Sequence, residues 1–503
     1  MPDIPAGYGP SIIVLAVYFA AVTFVGLYAW RKFPQSDPES YILGGRAIGW
    51  LVAMFTLMAT QYSALTVLGF PGTMYRDGLA GYVAICGMYI GFAALYWMAF
   101  AARTWKLGRA FGHMTPGETF SHFYGSAWVG YLLGGMLILA VIPYIQVQIL
   151  GLGFLFKTAT GGMIDEATAA VLVYFLIIVY TLLGGMRAVA LTDTLQGVLL
   201  VAGLVGGAAV VVHVAGGIPA TFSHVIASRP ELLTIPGPPD PDGRSPWPWP
   251  YLISFAIPVG LGWTMHPHMW IRMHIPKTVN YIRLWPLIVV ASFPIVMGAA
   301  FFSGIAGQVL RPGETNRQAT DTMMISLILE NFPPIVAGLV AAAGIAAMMS
   351  SVSSQIHGVG ASFSRDYLHK LFPEHDPRRG VLYTRLSVLV VGAIGLYLSL
   401  TQPGFLTTLG TFSAAWGAQA APAAIAALVG CRWATRWGAI AGTLGGSAVL
   451  LAIVATGVQH IAGLYAGAWG LAANVALFVG ASLFTRSSRP DDGVVRAYRK
   501  VGW

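Results

Sequence analysis

Apolar segments of membrane-spanning length recur from one end of the chain to the other. A transmembrane helix needs about 20 consecutive, mainly apolar residues. Thirteen stretches approach that length, at roughly 10–30, 47–73, 79–102, 126–156, 167–184, 189–215, 249–273, 282–308, 334–364, 382–400, 405–429, 436–457 and 462–485. The pattern therefore predicts an all-α polytopic membrane protein with about 13 transmembrane helices.

The second span carries polar residues at its middle. Thr60, Gln61, Ser63 and Thr66 lie close together there, and Pro71 follows. Polar side chains are costly in lipid, and transporters that bind at the bilayer midplane use interrupted helices whose freed backbone groups form the site. The segment predicts either a broken helix at a binding site or a helix face that hydrogen-bonds to a neighbouring helix.

The seventh span contains a similar interruption. Gly260, Gly262 and Pro267 lie close together, and His266 and His268 flank the proline. Proline removes a helical hydrogen bond and clashes with the preceding turn, so we predict a kink here. Both histidines are candidates either for ligand contact or for structural hydrogen bonds.

The ninth span carries a cluster of serines at Ser350, Ser351, Ser353 and Ser354. At about 100° per residue, Ser350, Ser353 and Ser354 share a helix face and Ser351 does not. Hydroxyl and carbonyl oxygens are hard donors that suit a hard cation such as Na⁺. The cluster indicates a sodium site, with close helix packing through small residues as the alternative.

One acidic residue, Asp193, falls clearly inside a predicted span. An intramembrane carboxylate indicates a functional site, and its natural partner is a cation. The carboxylate therefore favours the cation-binding interpretation of the nearby polar spans.

Composition and charge agree with a membrane protein. The chain is 56% apolar and only 9% charged, whereas a soluble domain carries about 25% charged residues. With the N-terminus outside, 22 of the 28 Lys and Arg residues fall on the cytoplasmic side, as expected for basic residues in membrane proteins. We predict a multi-pass protein of the bacterial inner membrane with a cytoplasmic C-terminus, and no nucleic-acid partner.

Three segments resemble motifs of the sodium:solute symporter family. They are Tyr41–Trp50 (YILGGRAIGW), Gly184–Gly197 (GGMRAVALTDTLQG) and Ser364–Tyr367 (SRDY). The resemblance covers nearly the whole chain. It implies a transporter rather than an enzyme, in a family that includes carriers of proline, sugars, sialic acid, pantothenate and monocarboxylates.

The resemblance implies a leucine-transporter-type fold, in which five helices are repeated with inverted topology. One extra helix precedes the repeats and two follow them. The implied segments are 1–46 (extra helix and cytoplasmic loop), 47–215 (first repeat), 216–248 (extracellular loop), 249–429 (second repeat), 430–485 (two C-terminal helices) and 486–503 (basic cytoplasmic tail).

The resemblance also implies where Na⁺ binds. The first site combines backbone carbonyl and hydroxyl oxygens of Ala59, Tyr62, Ala347, Ser350 and Ser351. A second site, found in some members of the family, uses residues that match Asp193, Ser350, Ser353 and Ser354. Whether one or two ions bind is left open.

Six residues are predicted to line the solute site. They are Gln61, Ser63, Thr66, Gln146, Trp263 and His266. Gln146 stands where the sialic-acid carriers of the family place a carboxylate-binding arginine, so sialic acid is not expected. The runs Ala59–Ala64 (ATQYSA) and Trp263–His268 (WTMHPH) look most like bacterial monocarboxylate permeases.

We therefore predict sodium-coupled import of a small organic solute, first of all an anionic monocarboxylate, by alternating access. A helix N-terminus exposed by a break would favour an anion. Symport of proline, another amino acid or pantothenate is the alternative within the family. A proton-coupled carrier and a solute-sensing membrane protein are the alternatives of other classes. Besides the lipid bilayer, a small membrane accessory subunit is left open as a partner.

Overall fold

The structure, a computed structural model, describes residues 8–239, 245–373, 376–402, 404, 406–458 and 460–502. Parts of the predicted loop 216–248, of the predicted span 405–429 and of both terminal segments lie outside the described residues.

Helices form most of the described chain. In the first half they are α1 (Gly9–Lys32), α2 (Pro38–Leu43), α3 (Trp50–Gln61), α4 (Phe70–Cys86), α5 (Leu95–Phe111), α6 (Pro116–Tyr124), α7 (Ala127–Ala159), α8 (Glu166–Val214), α9 (Gly217–Ser228), α10 (Trp249–Met265) and α11 (Pro267–His274). In the second half they are α12 (Val279–Leu310), α13 (Arg317–Asp321), α14 (Met323–Asn331), α15 (Pro334–Phe363), α16 (His369–Leu371), α17 (Pro377–Thr401), α18 (Leu406–Gly417), α19 (Ala421–Leu428), α20 (Arg436–Ala455), α21 (Ala466–Phe484) and α22 (Asp492–Gly502). Short π-helical segments cover Leu65–Gly69, Gly87–Ala94 and Ser364–Leu368, and two strands, β1 (His460–Ile461) and β2 (Leu464–Tyr465), pair antiparallel.

Among the described residues, nine helical stretches are long and apolar enough to cross a membrane. Two of them, Leu65–Phe111 and Glu166–Val214, are too long for one crossing, and each contains a glycine with non-helical backbone, Gly78 and Gly185. The predicted all-α membrane fold is confirmed, while the number of 13 crossings stays a prediction.

The bend at Gly185 needs a residue without a side chain. Its φ is +54°, and a Cβ there would lie 2.7 Å from the carbonyl oxygen of Tyr41. Tyr41 is held in place because its hydroxyl donates to the Thr181 carbonyl at 3.0 Å. The family-like motif 184–197 therefore begins at a sharp corner between two halves of α8.

Replacing Gly185 with alanine should destabilise the protein by at least about 1–3 kcal/mol, the cost of a side chain in a sparsely populated backbone conformation. The measurement is the midpoint of thermal unfolding in detergent. Gly480→Ala is the control, because Gly480 lies within α21 with open space around it. Equal midpoints for the two variants would show that the corner tolerates a side chain.

The central helix of the fold is α15, whose middle is almost entirely buried. It packs against α1, α3, α7, α8, α11 and α17. Its serine cluster therefore lies inside the protein, where it faces other helices rather than lipid.

Candidate functional site

The second predicted span is broken, with α3 ending at Gln61 and Tyr62 in an extended conformation. Helical structure resumes because Ser63 caps the next segment. The Ser63 hydroxyl accepts from the Leu65 N–H at 3.2 Å, and the Thr66 hydroxyl accepts from the Ser63 N–H at 3.2 Å. This reciprocal pattern resembles a capping box, so the polar residues at the middle of the span mark a helix restart.

The carbonyl oxygens beside this break face the serines of α15. Ser350 Oγ donates to the Ala59 carbonyl at 3.1 Å and to the Ala347 carbonyl at 2.9 Å. Ser351 Oγ donates to the Tyr62 carbonyl at 3.1 Å. The five residues predicted for the first sodium site are therefore brought together, and each is at most 1% exposed.

This first cluster offers three carbonyl oxygens and two hydroxyl oxygens. A hydroxyl hydrogen rotates to suit its partner and leaves lone pairs available, so the same oxygens that now bond to each other are able to face a cation. Its oxygen donors are the type that hard cations prefer. Chemically, the arrangement suits a small monovalent cation held between α3 and α15.

The residues predicted for the second sodium site have a different arrangement. The Arg272 guanidinium pairs with Asp193, with Nη2 3.1 Å from Oδ2, and both side chains are 0% exposed. The same Arg272 nitrogen donates to the hydroxyl of Ser354. Thr56 Oγ1 donates to Asp193 Oδ2 at 2.5 Å. A side-chain cation therefore lies among oxygens that were predicted to hold an ion.

Among the described residues, Ser353 makes no hydrogen bond to Asp193 or Arg272. Its hydroxyl donates to the Ser350 carbonyl at 3.1 Å, and the Ser354 hydroxyl donates to the same oxygen at 2.5 Å. Ser350 consequently links the two clusters, with its hydroxyl toward Ala59 and its carbonyl toward Ser354.

The predicted kink in the seventh span is present. α10 ends at Met265, His266 leaves the helical conformation, and α11 begins at Pro267. His266 Nε2 lies 3.3 Å from the Ser413 carbonyl, which only accepts, so this nitrogen carries the proton. The ring of His266 lies 5.6 Å from that of Trp263, centroid to centroid. Two predicted solute residues thus lie together at the second break.

Gln146 is engaged elsewhere. Its amide nitrogen donates to the Gln402 carbonyl and so ties α7 to the end of α17. Gln148, two residues further on, reaches the first helix break instead, where its Oε1 accepts from the Ala64 N–H at 2.8 Å. Sequence reasoning missed Gln148, although residues two apart point in different directions from a helix.

The backbone N–H groups of the helix restart already have partners. Ala64 donates to Gln148, Leu65 to the Ser63 hydroxyl, and both Thr66 and Val67 to the Ser63 carbonyl. An anionic solute would have to displace these contacts to bind there. The helix N-terminus at the first break is therefore not free in this structure, and binding of an anion at a helix N-terminus stays a prediction.

A cavity of about 240 Å³ borders both breaks. Its lining includes Leu65, directly after the first break, and Trp263, just before the second. Trp247, from the loop that the sequence predicts to be extracellular, and Arg76 also line it. The cavity therefore joins residues of this loop to residues beside both breaks.

Two broken helices in a polytopic α-helical protein, one of them with its freed carbonyls facing a buried cluster of hydroxyls, are typical of ion-coupled secondary transporters. The model of the Sodium:solute symporter family matches residues 41–446. The chain belongs to this family. It is a sodium-coupled solute transporter and not an enzyme.

Relatives align along nearly the full chain. The osmoregulated proline transporter OpuE of Bacillus subtilis is 28% identical over 90% of this chain and 90% of its own length. The sodium/pantothenate symporter of Haemophilus influenzae is 26% identical over 89% of this chain and 91% of its own. The high-affinity proline transporter PutP of B. subtilis is 28% identical over 92% of this chain and 96% of its own length.

Solved structures share the fold. A Na⁺-coupled sialic acid symporter in a substrate-bound, outward-open state superposes with a TM-score of 0.77 at 19% identity, covering 95% of this chain and 98% of that one. The nucleobase-cation symporter Mhp1 in a closed conformation superposes with a TM-score of 0.59 at 15% identity, covering 93% of this chain and 99% of that one. The predicted transporter fold is thereby confirmed.

Proposed function

We propose that this protein imports a small carboxylate together with Na⁺, and that the ion is held by Ala59, Tyr62, Ala347, Ser350 and Ser351. The observation that carries this proposal is the convergence of Ser350 and Ser351 on the carbonyls of Ala59 and Tyr62 at the helix break, each at 3.1 Å. Family membership supports Na⁺ as the ion that these oxygens bind.

In this mechanism Na⁺ ties α3 to α15 and holds the first break in the geometry that the solute needs. The coupling is reciprocal, because an ion that tightens solute binding is itself bound more tightly when solute is present. An inward Na⁺ also gains about 2.3 kcal/mol per 100 mV of membrane potential. That energy is available to accumulate the solute.

Two buried polar atoms beside the helix breaks favour a solute that carries a carboxylate next to a hydrogen-bond donor. Gln61 Nε2 and His266 Nδ1 have no hydrogen-bond partner among the described residues. The amide of Gln61 is a donor and suits a carboxylate, whereas Nδ1 of His266 is an acceptor once Nε2 bonds to Ser413. A 2-hydroxy monocarboxylate such as lactate offers both complementary groups.

Proline is the second candidate, since two of the relatives are proline transporters by name. Proline carries a carboxylate beside an N–H donor, so it complements Gln61 and His266 in the same way. Pantothenate, named for a third relative, also carries a carboxylate and hydroxyl groups.

Uptake into sealed proteoliposomes tests the proposal. Radiolabelled lactate, pyruvate, acetate, proline and pantothenate are supplied in turn under an inward Na⁺ gradient, with K⁺ replacing Na⁺ in the parallel reaction. At least one of these carboxylates should accumulate with Na⁺ and not with K⁺. Equal uptake of all five compounds in the two salts would overturn the proposal.

Replacing Gln61 with alanine should raise the KM for the transported carboxylate about tenfold or more, because a hydrogen bond to a charged group contributes about 1.5–3 kcal/mol. Initial uptake rates at saturating Na⁺ give this constant. Gln318→Ala is the matched control, since Gln318 lies exposed at α13, away from the breaks. An unchanged KM for Gln61→Ala would remove Gln61 from the solute site.

A further inference from the structure

The oxygen cluster around Asp193 is already occupied by a cation that belongs to the protein. The contact between Arg272 Nη2 and Asp193 Oδ2 is 3.1 Å, and neither side chain reaches solvent. Arg272 Nη1 also donates to the His268 carbonyl at 3.2 Å, within its own helix α11. Arg272 is therefore fixed by contacts on α8, α11 and, through Ser354, α15.

We infer that Arg272 takes the place of a second sodium ion, so that the transporter binds a single Na⁺, at the Ser350–Ser351 cluster. This inference rests on the proposed sodium site and specifies how many ions that mechanism uses. It decides between the one or two ions that the sequence leaves open, against a second ion at Asp193, Ser350, Ser353 and Ser354.

The charge balance of the cluster supports this inference. Asp193 carries one negative charge and Arg272 one positive charge, so the buried pair is neutral. The other titratable groups that face Asp193 among the described residues are the tyrosines Tyr18 and Tyr180, which are neutral at physiological pH. A Na⁺ added here would leave a net positive charge in a buried site, which is strongly unfavourable.

The geometry of the hydroxyls points the same way. Thr60 Oγ1 lies 3.2 Å from Ser354 Oγ, and the Ser354 hydroxyl donates to the Ser350 carbonyl. Ser353 donates to that same carbonyl and not to Asp193. What distinguishes this cluster from the first is the guanidinium, because Arg272 already donates to both Ser354 and Asp193, whereas Ser353 faces the backbone of α15.

A consequence is that Arg272 suppresses ion binding at Asp193, and its removal should create a site. Asp193 Oδ1 has no hydrogen-bond partner among the described residues. Without the guanidinium, a carboxylate and the Ser354 hydroxyl would face each other with a negative charge to neutralise. Carboxylate and hydroxyl oxygens are hard donors, which suit a hard cation such as Na⁺.

Equilibrium binding of ²²Na⁺ to the purified, solute-free protein in detergent tests the inference. The wild type should bind one Na⁺ per chain, Arg272→Gln two, and the double variant Arg272→Gln/Asp193→Asn one again. Arg272→Lys, which keeps the charge, should also bind one. Size-exclusion chromatography of each variant establishes that it is folded.

Two Na⁺ ions per wild-type chain would overturn the inference while leaving the proposed sodium symport intact. A folded Arg272→Gln that binds only one Na⁺ would overturn it as well. Should Arg272→Gln fail to fold, the stoichiometry of the wild type decides. No Na⁺ binding to the wild type would instead contradict the proposed function itself, so the two failures are distinguishable.

Discussion

Replacing Ser351 with alanine is expected to raise the Na⁺ concentration for half-maximal uptake about 10- to 100-fold. Loss of a residue that only supports a metal ligand typically lowers the affinity for the ion by that factor. Ser351 is proposed as a direct ligand, so its loss should have an effect of at least this size. The variant also loses the contact between its hydroxyl and the Tyr62 carbonyl, which joins α15 to the helix break. Sodium titrations of initial uptake rates in proteoliposomes measure the shift.

Ser362→Ala is the control for this experiment. Ser362 is equally buried on the same helix, three turns beyond the cluster, and its hydroxyl has no partner among the described residues. Its sodium dependence should equal that of the wild type. If Ser351→Ala keeps the wild-type sodium dependence, the cluster is not the coupling site and a proton-coupled mechanism regains support.

Replacing Asp193 with asparagine should destabilise the protein by about 3–5 kcal/mol, the usual cost of leaving one partner of a buried ion pair without its counter-charge. Arg272 would remain fully buried beside a neutral amide. The midpoint of thermal unfolding in detergent should fall strongly. The double variant Asp193→Asn/Arg272→Gln should recover much of the loss, because no net charge is then buried.

Glu330→Gln provides the matched comparison for this prediction. Glu330 also pairs with an arginine, Arg311, but its side chain is 53% exposed. Exposed pairs of this kind contribute at most about 1 kcal/mol, so the midpoint should hardly move. Equal effects of Asp193→Asn and Glu330→Gln would show that the Asp193–Arg272 pair is not a buried element of the fold.

The first oxygen cluster could be predicted from the sequence because its signals are local. The serines of α15 stand out in an apolar span, and Ser63 with Thr66 has the spacing of a cap that restarts a helix. Family resemblance then related the serines to Ala59 and Tyr62. The pattern of apolar and polar residues along the chain cannot predict such a contact, because it joins two distant segments.

Arg272 was missed as a buried partner because basic residues near the ends of spans are assigned to cytoplasmic loops. Two signals in the sequence pointed to it. Asp193 lay inside a span and required a cation, and the predicted span 249–273 already contained Arg272. Pairing them needed the approach of α11 to α8, which is a tertiary contact.

The orientation of helix faces was another feature that the sequence could not provide. α7 is apolar on nearly all sides, so nothing in its pattern distinguished Gln146 from Gln148 as the residue at the helix break.

The end of the serine-bearing helix was also misjudged. The predicted span 334–364 stops before Asp366, which places this residue outside the membrane-spanning part. The structure buries it completely, with Thr115 Oγ1 donating to it at 2.6 Å, because helical structure continues from α15 through Ser364–Leu368.

The most direct test of the central claim compares ion gradients across the membrane of proteoliposomes that contain the wild type or Ser351→Ala. An inward Na⁺ gradient should drive accumulation of the transported carboxylate by the wild type, and an inward proton gradient without Na⁺ should not. Ser351→Ala should accumulate clearly less of the carboxylate than the wild type at the Na⁺ concentration that just saturates the wild type. Accumulation driven by protons alone, retained by Ser351→Ala, would contradict coupling through the Ser350–Ser351 cluster.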